Sequence, residues 1–172
     1  SLALNQQSSF GASSKNVGFW SGNIDGDGYQ DLLRVWKETD GSLKLTAWRY
    51  DGSTLADAGT TSLGLAKGED KFLVGDITGD GRSDVVQIWK DANGQAVATV
   101  WVATLQATGN GISYIKGTDN ILGVWNDTSV YQLSDHNADG RMDLLVARGV
   151  LASSIEVFYS NGATLKKEQD WR

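Results

Sequence analysis

Short stretches of alternating apolar and polar residues recur along the whole chain, and clusters of Gly, Asp and Asn separate them. Alternation with a period of two predicts strands with one buried face, and the clusters predict turns between the strands. In the first part of the chain the pattern predicts strands at 19–21, 31–36, 42–49 and 54–63. We therefore expect an all-β fold of many short antiparallel strands.

A threefold internal repeat organises these strands. Each copy contains one polar loop, and the loops begin at Asn23, Asp76 and Asp135. Thirteen residues before each loop stands an apolar residue followed by Gly, in the pairs Phe10-Gly11, Leu63-Gly64 and Leu122-Gly123. The copies span approximately residues 10–62, 63–121 and 122–172 of a single domain that covers 1–172. The second copy is six residues longer than the first, and the turn signals place the insertion between Trp101 and Asn110.

Four antiparallel strands per copy predict that each copy is one blade of a β-propeller, with residues 1–9 forming the outer strand of a preceding or shared blade. Propellers usually close with about 4–8 blades, and three copies are too few for a ring. Three arrangements stay open. The chain is part of a larger ring, it closes a ring by oligomerisation with a second copy of itself, or it forms an open arc with exposed edges.

Oxygen-bearing side chains occupy alternate positions of each nine-residue loop. Side chains at the first, third, fifth and ninth positions, with the backbone carbonyl of the seventh, could surround one calcium ion, which takes roughly 6–8 oxygen ligands. The candidate ligands are Asn23, Asp25, Asp27, Tyr29 and Asp31 in loop 1, Asp76, Thr78, Asp80, Arg82 and Asp84 in loop 2, and Asp135, Asn137, Asp139, Arg141 and Asp143 in loop 3. Tyr29, Arg82 and Arg141 would contribute only their carbonyls, with the arginine side chains in solvent.

Calcium fits these loops better than other metals. Zinc is disfavoured because the chain has no Cys and one His, and magnesium because it prefers a strict octahedron with retained waters. An EF-hand would need a helix after the loop, whereas strand-type residues follow each loop here. A single Asp-Gly loop would be interpreted as a β-turn, but three copies with carboxylates at alternate positions favour up to three calcium ions.

The charge of the chain agrees with this interpretation. Nine of the 21 acidic residues lie in the loops, and three divalent ions would neutralise the formal net charge of −6. Clustered Lys and Arg are absent from the sequence, which excludes nucleic acid as the expected partner. The sequence also contains no apolar stretch long enough to span a membrane. His136, the only histidine, lies within loop 3 and no Gly-x-Ser-x-Gly motif accompanies it, so no catalytic residues and no enzymatic activity are predicted.

Seven Trp residues are many for 172 residues. Trp36 and Trp89 follow their loop starts by 13 residues, and Trp48 and Trp101 follow by 25, so we predict that all four pack between blades. The third copy has Arg148 and, two residues early, Phe158 at the matching places. The aromatic residues that do not repeat are candidates for a sugar-stacking surface: Trp20, Tyr114, Trp125, Tyr131 and Trp171.

The loop pattern D-x-[D/N/T]-x-D-G-x-x-D between strands, repeated at 50 to 60 residues and preceded by Leu-Gly or Phe-Gly, resembles the FG-GAP or VCBS repeats. These repeats form the integrin α-subunit propeller and many bacterial and fungal propellers, and the Trp-Lys strand ends look similar to bacterial secreted and toxin-associated versions. The resemblance implies calcium loops on one propeller face and a secreted or extracellular location. It implies work in adhesion, glycan binding or toxin delivery without choosing among them.

We therefore predict a non-enzymatic, calcium-binding, lectin-like or adhesive module that recognises an extracellular glycan or protein. The alternative is a structural propeller segment of a large secreted toxin or an accessory domain of a secreted enzyme. That segment would bind only calcium and neighbouring blades.

Overall fold

The computed structural model describes residues 15–107, 109, 111–149, 154–162 and 164–171, and the backbone alone for 169–171. Sheet 1 consists of β1 (Lys15–Gly22), β2 (Asp31–Lys37), β3 (Ser42–Tyr50) and β4 (Leu55–Leu65). Sheet 2 consists of β5 (Lys71–Gly75), β6 (Asp84–Lys90), β7 (Gln95–Leu105) and β8 (Ile112–Val124). Sheet 3 consists of β9 (Val130–Ser134), β10 (Asp143–Arg148), β11 (Ser154–Ser160) and β12 (Leu165–Trp171).

Each sheet is antiparallel, and its strands lie side by side in chain order. The predicted all-β fold with four strands per repeat is confirmed, and the strand ends of the first copy differ from their predicted bounds by at most four residues. The described residues include no helix, and hence no helix long and apolar enough to cross a membrane. The predictions for residues 1–9 and for Phe10-Gly11 lie outside the described residues.

Strand pairing shows that the third copy is in register with the other two. The same cross-strand pair recurs in the middle of each sheet: Leu32 with Trp48, Val85 with Trp101 and Leu144 with Phe158. Next to this pair, a β-bulge interrupts the pairing of the third and fourth strands in all three sheets. Phe158 therefore takes the place of the repeated Trp, as the spacing indicated.

The Leu-Gly step marks a second β-bulge. Leu63 and Leu122 are skipped in the pairing of their strands, and each points into a buried core. The glycines that follow, Gly64 and Gly123, have φ of +83° and +107°, a region that a residue without a Cβ adopts at little cost. The sequence signature of the repeat is therefore the residue pair that turns a leucine inward.

The six extra residues of the second copy lengthen the hairpin between β7 and β8. Trp48 pairs with Asp57 nine positions later, and Trp101 pairs with Lys116 fifteen positions later. The insertion is therefore where the turn signals placed it, although Asn110 itself lies outside the described residues. β7 and β8 are accordingly longer than β3 and β4.

Two hydrophobic cores join the three sheets face to face. The first core combines residues of sheets 1 and 2, such as Leu33, Val35 and Trp101, and the second combines residues of sheets 2 and 3, such as Ile88 and Phe158. Along β6, Val85 belongs to the first core, whereas Val86 belongs to the second, because successive side chains of a strand point to opposite faces. Sheet 2 is therefore buried on both faces, an arrangement consistent with consecutive propeller blades.

Candidate metal centre

The three polar loops connect the first and second strands of their sheets and share one backbone conformation. At the sixth position Gly28, Gly81 and Gly140 have φ of +92°, +81° and +85°. The fourth position is also left-handed, with φ of +85° at Gly26, +77° at Gly79 and +60° at Ala138. Two left-handed residues, separated by one, fold each loop back on itself.

Side-chain oxygens of the first and fifth positions are turned toward amide groups of their own loop. Asp76 accepts hydrogen bonds from the amides of Gly79 (2.6 Å) and Gly81 (2.8 Å), and Asp135 accepts one from Gly140 (3.0 Å). The fifth-position carboxylate accepts from the seventh-position amide at 2.8 to 2.9 Å in every loop: Asp27 from Tyr29, Asp80 from Arg82 and Asp139 from Arg141. The bond at the fifth position is thus the same in all three loops, whereas the amides bound by the first position differ between them.

The ninth-position aspartates, Asp31, Asp84 and Asp143, are buried. In each, one oxygen accepts from the amide at the second loop position and the other from the third strand of the sheet. For Asp84 these donors are Ile77 (3.0 Å) and Ala103 (2.9 Å). Burial raises the pKa of Asp84 to about 6 and also raises the pKa of Asp31, although the amide bonds act in the opposite direction.

One arginine is paired with a carboxylate of each loop. Arg49, at the end of β3, pairs with Asp25 in loop 1, and the loop arginines pair with Asp80 and Asp139 in loops 2 and 3. The amide and guanidinium of Arg141 also lower the pKa of Asp139. The side chains of Arg82 and Arg141 are partly exposed, as expected, but each is also paired with a carboxylate, which was not predicted. The presence of Arg at the seventh position of both loops was the signal that could have revealed the pairing.

Neighbouring loops are hydrogen-bonded to each other. The eighth-position amide of loop 2, at Ser83, donates to the carbonyl of Asn23 in loop 1 at 2.6 Å. The amide of Met142 in loop 3 repeats this bond to the carbonyl of Asp76 at 2.7 Å. The three candidate sites consequently form one continuous row at the same end of the sheets, which agrees with the single face that the family resemblance implied. The hydrogen bonds between the loops were not predicted.

No three acidic or histidine side chains within the described residues converge as a group that could hold a metal ion. The donor chemistry nevertheless fits calcium, since every side-chain group at the first, third, fifth and ninth positions offers an oxygen. A carboxylate has about four acceptor sites, so a carboxylate that already accepts two amides keeps capacity for a cation.

A cavity of about 380 Å³ opens beside loop 1. Asp25, Asp27 and Arg49 line one side of it, and Leu105 and Gln106 of the lengthened β7–β8 hairpin line the other. Leu105 is an exposed apolar side chain. The insertion of the second copy thus borders the first candidate metal loop.

The aromatic residues divide by burial. Trp48 and Trp101 are buried, and Trp101 lies in the first core, as predicted for packing residues, while Trp36 and Trp89 are half-buried. Tyr114, Trp125 and Tyr131 are also buried, so the prediction that they form a sugar-stacking surface was wrong. Trp20 contacts Phe72 edge-on (ring centroids 5.8 Å apart) at the first core, and the side chain of Trp171 lies outside the described residues.

Comparison with known proteins identifies a repeat family and a set of structural relatives. Residues 7–87 match the model of the FG-GAP-like repeat. No curated protein matches the chain. The rhamnogalacturonan lyase PL11 of Bacillus licheniformis has a similar structure, with a TM-score of 0.60 and 16% identity over 92% of this chain and 34% of the lyase. Rhamnogalacturonan lyase YesW gives the same values, and the exotype lyase YesX gives 0.58 and 15% over 92% and 33%.

This chain spans about a third of the length of those lyases. At such low identity the likeness concerns the fold alone. It extends over nearly the whole chain and therefore includes all three sheets rather than one repeat.

Proposed function

We propose that this chain, of which residues 7–87 match the FG-GAP-like repeat, is a calcium-binding, non-enzymatic β-propeller module that recognises a glycan or protein outside the cell. The observation that carries the proposal is the row of three loops with one backbone conformation, the same fifth-position hydrogen bond and an oxygen donor at every alternate position. A turn needs one Asp or Asn and a Gly, whereas these loops keep three carboxylates each.

The proposed ligands are the side chains at the first, third, fifth and ninth loop positions and the seventh carbonyl. They are Asn23, Asp25, Asp27, Tyr29 and Asp31; Asp76, Thr78, Asp80, Arg82 and Asp84; and Asp135, Asn137, Asp139, Arg141 and Asp143. Three carboxylates and one paired arginine give each loop a formal charge of −3 + 1 = −2. One divalent cation per loop would neutralise it, which supports a capacity of up to three Ca²⁺.

Thermal unfolding in calcium and in chelator tests the metal. An ion that binds only the folded chain stabilises it by RT ln(1 + [Ca²⁺]/Kd), about 2.7 kcal/mol per site at 100 times Kd. We expect Tm to rise by roughly 5–10 °C per occupied site for a domain of this size. Coincident melting curves in the two buffers would refute calcium binding, and a magnesium buffer controls for ionic strength.

Titration calorimetry then counts the ions. Asp27→Ala, Asp80→Ala and Asp139→Ala should each leave two binding events where the parent has three, because each removes the fifth-position ligand of one loop. Glu69→Gln is the matched control, since Glu69 is an exposed carboxylate outside the loops. A count that falls equally in the control would assign the effect to net charge instead of coordination.

The cavity beside loop 1 is the proposed recognition site. It combines carboxylates, a guanidinium and an exposed leucine, which suits the hydroxyl groups and apolar faces of a sugar. The structural relatives are named for rhamnogalacturonan, so this polysaccharide belongs among the first probes. The alternative, a structural segment or accessory domain with no ligand beyond calcium, is favoured only by the short span relative to those relatives.

A glycan array probed with and without calcium separates the two functions. We expect calcium-dependent binding that Leu105→Ser reduces at least tenfold with no change in melting temperature. Leu65→Ser is the control, because Leu65 is an exposed leucine on β4 away from the cavity. A blank array combined with calcium-dependent stability would favour the structural segment.

A further inference from the structure

The two cores between the sheets are built from equivalent residue positions of successive repeats. In sheets 1 and 2 the face toward the following sheet is built from the same positions of the second and third strands. These residues are 0–1% exposed: Leu33, Val35, Leu45 and Ala47 in sheet 1, and Val86, Ile88, Ala98 and Val100 in sheet 2. Their pairing is also the same, since Leu33 lies opposite Ala47 and Val86 lies opposite Val100.

Sheet 3 carries apolar residues at these same positions. Leu145 pairs with Val157 and Ala147 pairs with Ile155, and Val130 on β9 lies opposite Ala147. We call these five residues the outer face of sheet 3. Val157 is buried, whereas Leu145 and Ala147 are half-buried, Ile155 is 39% exposed and Val130 is 65% exposed. An apolar sheet face of the kind that is fully covered twice within the chain is thus only partly covered here.

The hydrogen bonds between neighbouring loops follow the same repeat as the cores. Within the chain, an eighth-position amide donates to the first-position carbonyl of the preceding loop, at Ser83 and again at Met142. The corresponding amide of loop 1 belongs to Gln30, and the corresponding carbonyl of loop 3 belongs to Asp135. Neither group has a backbone partner within the described part of the chain. Loop 1 therefore offers the donor, and loop 3 the acceptor, of one further hydrogen bond of this kind.

We propose that the outer face of sheet 3 binds sheet 1 of a second copy of this chain, with the packing that joins the sheets within each copy. The amide of Gln30 in one copy would donate to the carbonyl of Asp135 in the other. Two copies joined head to tail at both ends would form a ring of six sheets, which lies within the range of about 4–8 blades. This proposal is independent of calcium and of any ligand.

Light scattering on the purified chain tests this proposal. The parent should have a mass of 2 × 18.5 = 37 kDa at micromolar concentration. Val130→Asp should lower the mass to 18.5 kDa, because it places a carboxylate on the apolar outer face that the second copy would cover. Val124→Asp is the matched control, since Val124 is a 69% exposed valine on β8 outside the outer face, and it should stay dimeric.

Circular dichroism identifies any variant that fails to fold, and Ile155→Lys on the same face then replaces Val130→Asp. A parent of 18.5 kDa would overturn the proposal, and so would a Val130→Asp variant that is folded and still 37 kDa. Dissociation of both valine variants would also overturn it, because the effect would then not depend on the outer face.

Discussion

At the scale of single residues, the ninth-position aspartates have a function besides metal coordination. Asp84 is buried, and its carboxylate accepts hydrogen bonds from Ile77, Thr78 and Ala103. It thereby ties the start of the loop to the third strand of the sheet. Buried donors that lose their acceptor cost about 1–3 kcal/mol each. The spacing alone presents this aspartate only as a ligand.

Asp84→Asn should therefore destabilise the chain in chelator as well as in calcium. The amide group of Asn offers one acceptor oxygen, and its NH₂ would face a backbone N–H. We expect a loss of about 2–3 kcal/mol in chelator and a larger loss in calcium, where a proposed ligand is weakened as well, measured by urea unfolding. Asp80→Asn is the comparison, because it changes an exposed carboxylate and should lose stability chiefly in calcium. Equal behaviour of the two variants would contradict a separate structural function of the ninth position.

At the scale of elements, the shared loop conformation requires a left-handed backbone at the fourth and sixth loop positions. Ala138 is the only non-glycine residue with positive φ within the described residues, at +60°. It occupies the fourth loop position, where loops 1 and 2 have Gly26 and Gly79. A left-handed conformation costs an L-residue roughly 1–2 kcal/mol. Loop 3 therefore retains the shared shape at a local energetic cost.

Ala138→Gly should stabilise the chain by about 0.5–1 kcal/mol, since relief of the left-handed strain exceeds the added freedom of glycine in the unfolded state. This corresponds to a rise in Tm of roughly 1–4 °C. Ala92→Gly is the control, because Ala92 is an exposed turn residue without positive φ and should lose about 0.4–1 kcal/mol. Destabilisation by both substitutions would show that the loop does not hold Ala138 under strain.

At the scale of the whole molecule, sheet 2 packs against both of the other sheets. Sheet 2 contributes to both cores, so a change in either core affects the sheet that the other depends on. The outer face of sheet 3 has the composition of a core and the exposure of a surface, and exposed apolar faces mark interaction sites. The mass of the chain in solution is the prediction that belongs to this scale.

Much of the fold could be predicted from the sequence because the repeat is local. Each strand, turn and loop signal lies within a few residues of the structure that it specifies, and three copies reinforce one another. The insertion in the β7–β8 hairpin and the place of Phe158 followed from counting alone. The candidate metal loops follow equally directly, because the nine positions of a loop are contiguous in the chain.

The sequence by itself determined the strands, the repeat and the identity of the loop residues, since these depend on neighbours along the chain. Only the tertiary structure decided which aromatic residues are buried, that Arg49 pairs with Asp25 and how the loops are hydrogen-bonded in a row. Tyr114 and Trp125 could be assigned to the interior only once the packing of the sheets was known. Exposure and the pairing of Arg49 with Asp25 depend on residues that are distant in sequence, and their positions are set by strand pairing and by the packing of the sheets.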